Sequence, residues 1–235
     1  MKSKGFKVLV LTLLFTAILG ATVYASQCVV KTTESYYTLE QDVYTPTDMV
    51  KDQKYPVVFM AHNGGADNSA WGDFPQLLAD EGFFTVNITW KDWDASNIEK
   101  AISYTLEKYA DVIDKDKVVF IGGCHGAKDF LDILNKGSQD YTVKTAVLLS
   151  LSEIDDAVKK SQEEGHVPML VYYSKNDEIG DPWGATSKEF ATEVVTKPCK
   201  VVAEEDPAHG NNMLTSDNRE EVSEGIIKWV KKYTK

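Results

Sequence analysis

Residues 118 to 130 read Val-Val-Phe-Ile-Gly-Gly-Cys-His-Gly-Ala-Lys-Asp-Phe, and they hold the chain's best candidate for a reactive group. The pattern G-x-C-x-G, centred on Cys124, falls between an apolar run (Val118 to Ile121) and a segment with apolar Phe130, Leu131, Ile133 and Leu134. That is a strand, a sharp turn and a helix. A nucleophile on so tight a turn has a strained backbone, and residues two places away must be small to avoid it; Gly122 and Gly126 fill those places. The thiol then stands above the N-terminus of the following helix, where the positive end of the dipole favours a thiolate. The chemistry of such a group is nucleophilic attack on an electrophilic carbonyl. A buried cysteine in a glycine-rich turn would carry the same letters, so the turn alone decides nothing.

The surrounding elements must position that thiol. From Cys28 to Tyr44 the chain alternates loosely with β-branched and aromatic residues, as expected for one or two antiparallel strands at a sheet edge. Pro56 to Ala61 is a continuous apolar run of the kind that forms a parallel strand covered on both faces, and it ends in His62-Asn63-Gly64-Gly65. A helix is predicted over Ser69 to Glu81, a strand over Phe83 to Trp90, and a helix over Asn97 to Tyr109 with Ile98, Ala101, Ile102 and Leu106 on one stripe. Beyond the Cys124 turn come strands at Val143 to Leu151, Val167 to Tyr173 and Cys199 to Ala203. A polar helix or loop (Ser152 to Glu164) and a helix (Pro182 to Val195) lie among them, and an amphipathic helix over Val222 to Lys232 closes the chain. Strands alternating with helices predict an α/β fold with a mostly parallel sheet between helical layers. No repeat, low-complexity stretch or linker divides the chain.

Composition sets the bounds. The chain has 235 residues, 43% of them hydrophobic, enough for one domain with a substantial core. Residues 1–25 stand apart: Lys2, Lys4 and Lys7, an apolar run from Val8 to Leu19, then Val23-Tyr24-Ala25 resemble a cleaved secretory signal peptide. The apolar run is short of the ~20 residues of a membrane span, and Gln27 occupies a position that a lipoprotein signal at Cys28 reserves for a small residue. Residues 26–235 are thus expected to be one exported domain. Loss of three lysines leaves 22 of the 25 basic residues against 36 acidic ones, shifting the net charge from −11 to −14. Nucleic acid is a poor partner for such a surface. Four scattered histidines and three scattered cysteines offer no metal-ligand spacing, so no metal is expected. No other cofactor is implied.

In an open parallel sheet, sites form beyond the carboxyl ends of the strands. Three such ends carry Cys124, Asp177 and His209, in that order along the chain. Order, strand context and elbow together resemble the α/β-hydrolase superfamily over essentially the whole chain after residue 25. The Cys nucleophile and compact size look most like its dienelactone-hydrolase-type members. The resemblance implies that Cys124 is the nucleophile, that His209, in Ala-His-Gly before the last helix, is the general base, and that Asp177 orients the imidazole. Asp181 is the nearest rival for the acid. Among the other histidines, His166 precedes a strand, at the wrong end of the sheet. His125 adjoins the nucleophile but is expected to point its ring away from the thiol, as a wall of the pocket, and His62 matches the histidine of the family's His-Gly motif, usually structural.

The oxyanion donors implied by the resemblance are the backbone N–H groups of His125 and Gly64. Asn63, where the family has glycine, departs from the pattern. His62, Asn63, Trp71, Trp93 and Trp183 are candidates for the wall of a substrate pocket; the tryptophans, Trp90 among them, serve equally well as core. The odd cysteine count leaves Cys28 and Cys199 as a candidate disulfide if Cys124 stays free. The expected activity is hydrolysis of a small carboxylic ester or lactone through a thioester intermediate. A non-catalytic binding protein on the same fold and a serine-type esterase with Cys124 in place of serine are the alternatives.

Overall fold

The computed structural model describes residues 30–36, 39–46, 49–90, 94–137, 139–152, 167–177, 179, 183–189 and 199–235. The segment 1–25, Cys28, Trp93, His166, Asp181 and nearly all of the stretch from 152 to 164 lie outside the described residues, as does the candidate Cys28–Cys199 pairing.

Eight strands form one sheet: β1 (Val30–Tyr36), β2 (Leu39–Thr45), β3 (Tyr55–Ala61), β4 (Phe84–Ile88), β5 (Ile113–Gly123), β6 (Val143–Leu149), β7 (Met169–Ser174) and β8 (Cys199–Glu204). Their spatial order is β1-β2-β4-β3-β5-β6-β7-β8. Strand β2 is antiparallel to both of its neighbours, β1 and β4, and all other neighbours are parallel. Among the described residues the α-helices are α1 (Phe74–Asp80), α2 (Ala95–Lys108), α3 (His125–Asn135), α4 (Trp183–Glu189) and α5 (Arg219–Thr234). The expected single-domain α/β architecture is the observed one.

Alternation along each central strand divides the core in two, because successive side chains point to opposite faces. Val57, Phe59 and Ala61 of β3, Val118 and Phe120 of β5, and Ala146 and Leu148 of β6 pack with Ile98, Phe130 and Ile133 of α2 and α3. On the other face Val58, Met60, Val119, Ile121, Val147 and Leu149 meet Phe74 and Leu78 of α1 and Val222, Ile226 and Trp229 of α5. Both faces are dry, which is why these strands read as unbroken apolar runs.

Two boundaries differ most from expectation. The helix expected from Ser69 is a 3-10 turn, Asn68–Trp71, followed by α1, with Gly72 at φ 57° ending the turn. Strand β5 begins at Ile113, well before the apolar run, because Tyr55 N–H donates to Val112 O and Thr142 N–H to Lys115 O. Its charged segment, Asp114 to Lys117, lies at the solvated end of the ladder, where polar side chains cost little.

Phe120 is fully buried at the centre of one core layer, its ring stacked on Phe130 with centroids 4.4 Å apart and edge-on to Phe59 at 6.4 Å. Phe120→Ala is expected to cost about 3–5 kcal/mol of unfolding free energy. Urea titration should show a lower midpoint with an unchanged slope.

Candidate active site

Strand β5 delivers Cys124. Its backbone has φ 51° and ψ −115°, and its N–H donates to Leu149 O at the end of β6 (2.8 Å). The flanking glycines have the predicted reason. A Cβ on Gly122 would lie 2.4 Å from Ala127 Cα, and one on Gly126 would lie 2.3 Å from Ala61 O. Cys124 occupies the N-cap position of α3, so the first N–H groups of that helix surround the thiol's backbone. The thiol is free and 6% exposed.

The base arrives from the loop after β8. Asp206 shapes that loop by accepting the Ala208 N–H at 2.8 Å, and His209 follows, fully buried. Its Nδ1 lies 2.8 and 3.0 Å from the two carboxylate oxygens of Asp177, which stands at the end of β7. The turn holding Asp177 is built by Ser174, whose Oγ accepts the Asn176 N–H and donates to Asp206 O. One Asp177 oxygen also accepts the Ile179 N–H at 3.0 Å. Burial alone would lower the pKa of His209. Hydrogen bonds to Asp177 and then to Cys124, with the negative charge of both partners, overcome it and push the imidazole up to about 9. Asp177 is therefore the carboxylate on His209, and Cys124 is coupled to the same imidazole through its effect on the charge.

His125 corrects an expectation. Its ring turns toward the thiol rather than away, with Nδ1 3.2 Å from the Cys124 sulfur. The sulfur thus has an imidazole from each of two elements beside it.

The loop after β3 supplies the fourth side of the site. His62 is buried, its Nδ1 donating to Asn63 O (2.8 Å) and its ring stacked on Trp90 with centroids 5.8 Å apart. Since a carbonyl can only accept, Nδ1 carries the proton and Nε2 is an acceptor. Burial holds this histidine below its ordinary range, so it is neutral. Trp90 Nε1 donates in turn to His62 O at 3.2 Å. Gly64 and Gly65 complete a tight turn closed by Ala66 N–H to Asn63 O. Little of either His62 or Asn63 reaches the surface. They are 1% and 8% exposed and serve as supports beneath the site. Trp71 is likewise core, with no exposed surface, packed among Phe74, Leu78, Met213 and Leu214. The side chain of Trp183, like all of Trp93, lies outside the described residues.

Asn211 was invisible to sequence reasoning. It is fully buried, and its side chain accepts the Asn63 N–H at 2.8 Å and donates to Ala70 O at 2.8 Å. The one signal that pointed its way was the odd residue across from it: a polar Asn63 where glycine was expected implies a polar partner somewhere.

A hollow of about 500 Å³ at the amino ends of β3 and β5, lined by Lys54, Ser103, Glu107, Ile113 and Lys115, is at the opposite end of the sheet from this group. Among the described residues no cluster of His, Cys, Asp and Glu could hold a metal ion, and no helix is long and apolar enough to cross a membrane.

No known family's sequence profile matches the chain, and no curated protein is significantly similar to it in sequence. Solved structures are similar in fold. A fungal esterase from Rhizomucor miehei superposes with a TM-score of 0.70 at 15% identity, over 88% of this chain and 84% of its own. Esterase B from Lactobacillus rhamnosis HN001 gives 0.66 at 13% identity, over 88% and 86%. An inhibited form of esterase B from the same species gives 0.67 at 14% identity, over 87% of both chains. The chain shares the α/β-hydrolase fold with these esterases.

Proposed function

We propose that this protein hydrolyses small carboxylic esters or lactones through a thioester on Cys124. The observation that carries the reading is the buried His209 imidazole, its Nδ1 2.8 Å from the Asp177 carboxylate, with Asp177 and Cys124 together pushing its pKa up to about 9. Esterases of the same fold add to it, as does the resemblance to dienelactone-hydrolase-type members. We place the activity outside the cytoplasm, because residues 1–25 resemble an export signal.

The chemistry follows from the charges. The thiolate attacks the acyl carbon, and an S–C bond forms as the carbonyl electrons move to oxygen. The N–H groups of His125 and Gly64 receive that oxyanion. Its collapse breaks the C–O bond, and the leaving alkoxide takes the His209 proton. Acylation has then removed the sulfur charge that helped to hold that proton, so His209 is now a neutral base. It takes a proton from water attacking the thioester, and expulsion of the thiolate restores the starting ion pair. A thiolate leaves more readily than an amine, which favours activated esters and lactones over peptides.

The test is hydrolysis of a short aryl ester across pH. The rate should fall as pH rises through about 9, where His209 loses its proton. Stability should move the same way. The folded-state pKa of His209 lies above the ordinary ~6.5, so its contribution is complete below that value and lost as pH rises through about 9. A serine-like profile, flat above neutrality, would contradict the thiolate–imidazolium pair.

A further inference from the structure

The loops carrying the oxyanion donor and the base are joined by one pair of side chains. Asn63 Nδ2 donates to the carbonyl oxygen of His209 (3.1 Å), and Asn63 Oδ1 accepts the backbone N–H of Asn211 (3.1 Å). Asn211 answers with its own Oδ1, which accepts the backbone N–H of Asn63 at 2.8 Å. Its Nδ2 is anchored on Ala70 O, at 2.8 Å. The residues are 148 positions apart and both are buried.

The contact reaches both reactive groups. A Cβ on Gly123, the residue before the nucleophile, would sit 2.4 Å from Asn63 Oδ1. A Cβ on Gly210, the residue after the base, would sit 2.0 Å from the same atom, and Gly210 has φ 56°. One amide thus fills the gap between the nucleophile turn and the base loop, and neither neighbour can carry a side chain while it is there. Removing it would leave the Asn211 N–H without this acceptor and take from the His209 carbonyl one of its two donors, the other being the Asn212 N–H at 3.0 Å, so in a dry interior the base loop would shift.

We infer that Asn63 is a positioning residue, which with Asn211 sets the distance and angle between His209 and Cys124. Resting on the proposed hydrolase reading, this gives a purpose to the residue that replaces glycine in the loop after β3. The pair acts by geometry alone. Neither amide ionises, and the charged partners of His209, Asp177 and Cys124, are untouched by changing it.

Two readouts test the inference separately from the activity. With histidine rings isotopically labelled, NMR should follow the titration of His209 in Asn63→Ala, Asn211→Ala and the double variant. Each single change should move the midpoint down from about 9 toward the ordinary imidazole value of ~6.5, and the double change should move it no further. With a short aryl ester, each should lower kcat by roughly 100-fold while KM stays within about threefold, as expected for misplacement rather than lost binding. Should Asn63→Ala fail to fold, Asn211→Ala breaks the same pair from the other loop and carries the same expectation. Folded variants that melt earlier but leave the His209 titration unchanged would make the pair merely structural and overturn the inference. A moved titration in a protein that hydrolyses no ester would instead sink the hydrolase reading and leave the positioning role standing.

Discussion

Replacing Cys124 with alanine is expected to reduce hydrolysis of a short aryl ester by about 10⁴-fold or more, to little above the rate in buffer. The sulfur stands on a left-handed turn residue, flanked by glycines that admit no side chain, and two imidazoles face it. The thiol is the strongest nucleophile of the group. Alkylation of the thiol should abolish activity equally. Cys124→Ser separates a cysteine enzyme from a serine-type site carrying a cysteine. Oxygen is smaller than sulfur and keeps its proton, so in a site built for thiolate the change should cost orders of magnitude. A sharp gain would mean that the site belongs to serine. No hydrolysis across an ester panel, and no gain with serine, would leave a binding protein on a hydrolase fold.

His209→Ala should be nearly as damaging as Cys124→Ala, and the double variant scarcely worse, because nucleophile and base act as a unit. The imidazole has two tasks: it protonates the leaving alkoxide, then activates water against the thioester. Its loss stops both. Asp177→Asn should be milder, roughly 100-fold in kcat. Asparagine can still accept the Nδ1 proton through its carbonyl, but it removes a charge that keeps His209 protonated. The upper limb of the pH profile should therefore move to lower pH in Asp177→Asn. An unmoved limb would mean that the limb does not report His209.

Much of this arrangement was legible in the sequence for a physical reason. A parallel sheet buried on both faces forces continuous apolar runs, and those of β3, β5 and β6 stand out. Sites gather at carboxyl ends, so the residues just after β5, β7 and β8 were the ones to inspect, and Cys124, Asp177 and His209 stand there in contact. What escaped was set by long-range packing. The Asn63–Asn211 pair joins loops far apart in the chain, and no local pattern encodes it. The His125 ring direction depends on a side-chain torsion that the turn leaves open. Trp71 could not be divided between pocket and core, because a tryptophan near a strand end satisfies either until α1 and the Gly210–Leu214 turn close over it. The early start of β5 rests on backbone bonds of charged residues, whose side chains give no strand signal.

The account turns on a covalent intermediate. Intact protein mixed with excess activated ester and quenched in acid within milliseconds should gain the mass of one acyl group, and peptide mapping should place it on Cys124. The adduct should decay on standing at neutral pH in the native protein and persist in His209→Ala acylated chemically, since deacylation needs the base. An ester hydrolysed with no adduct on Cys124, or with the acyl group on another residue, would contradict the account.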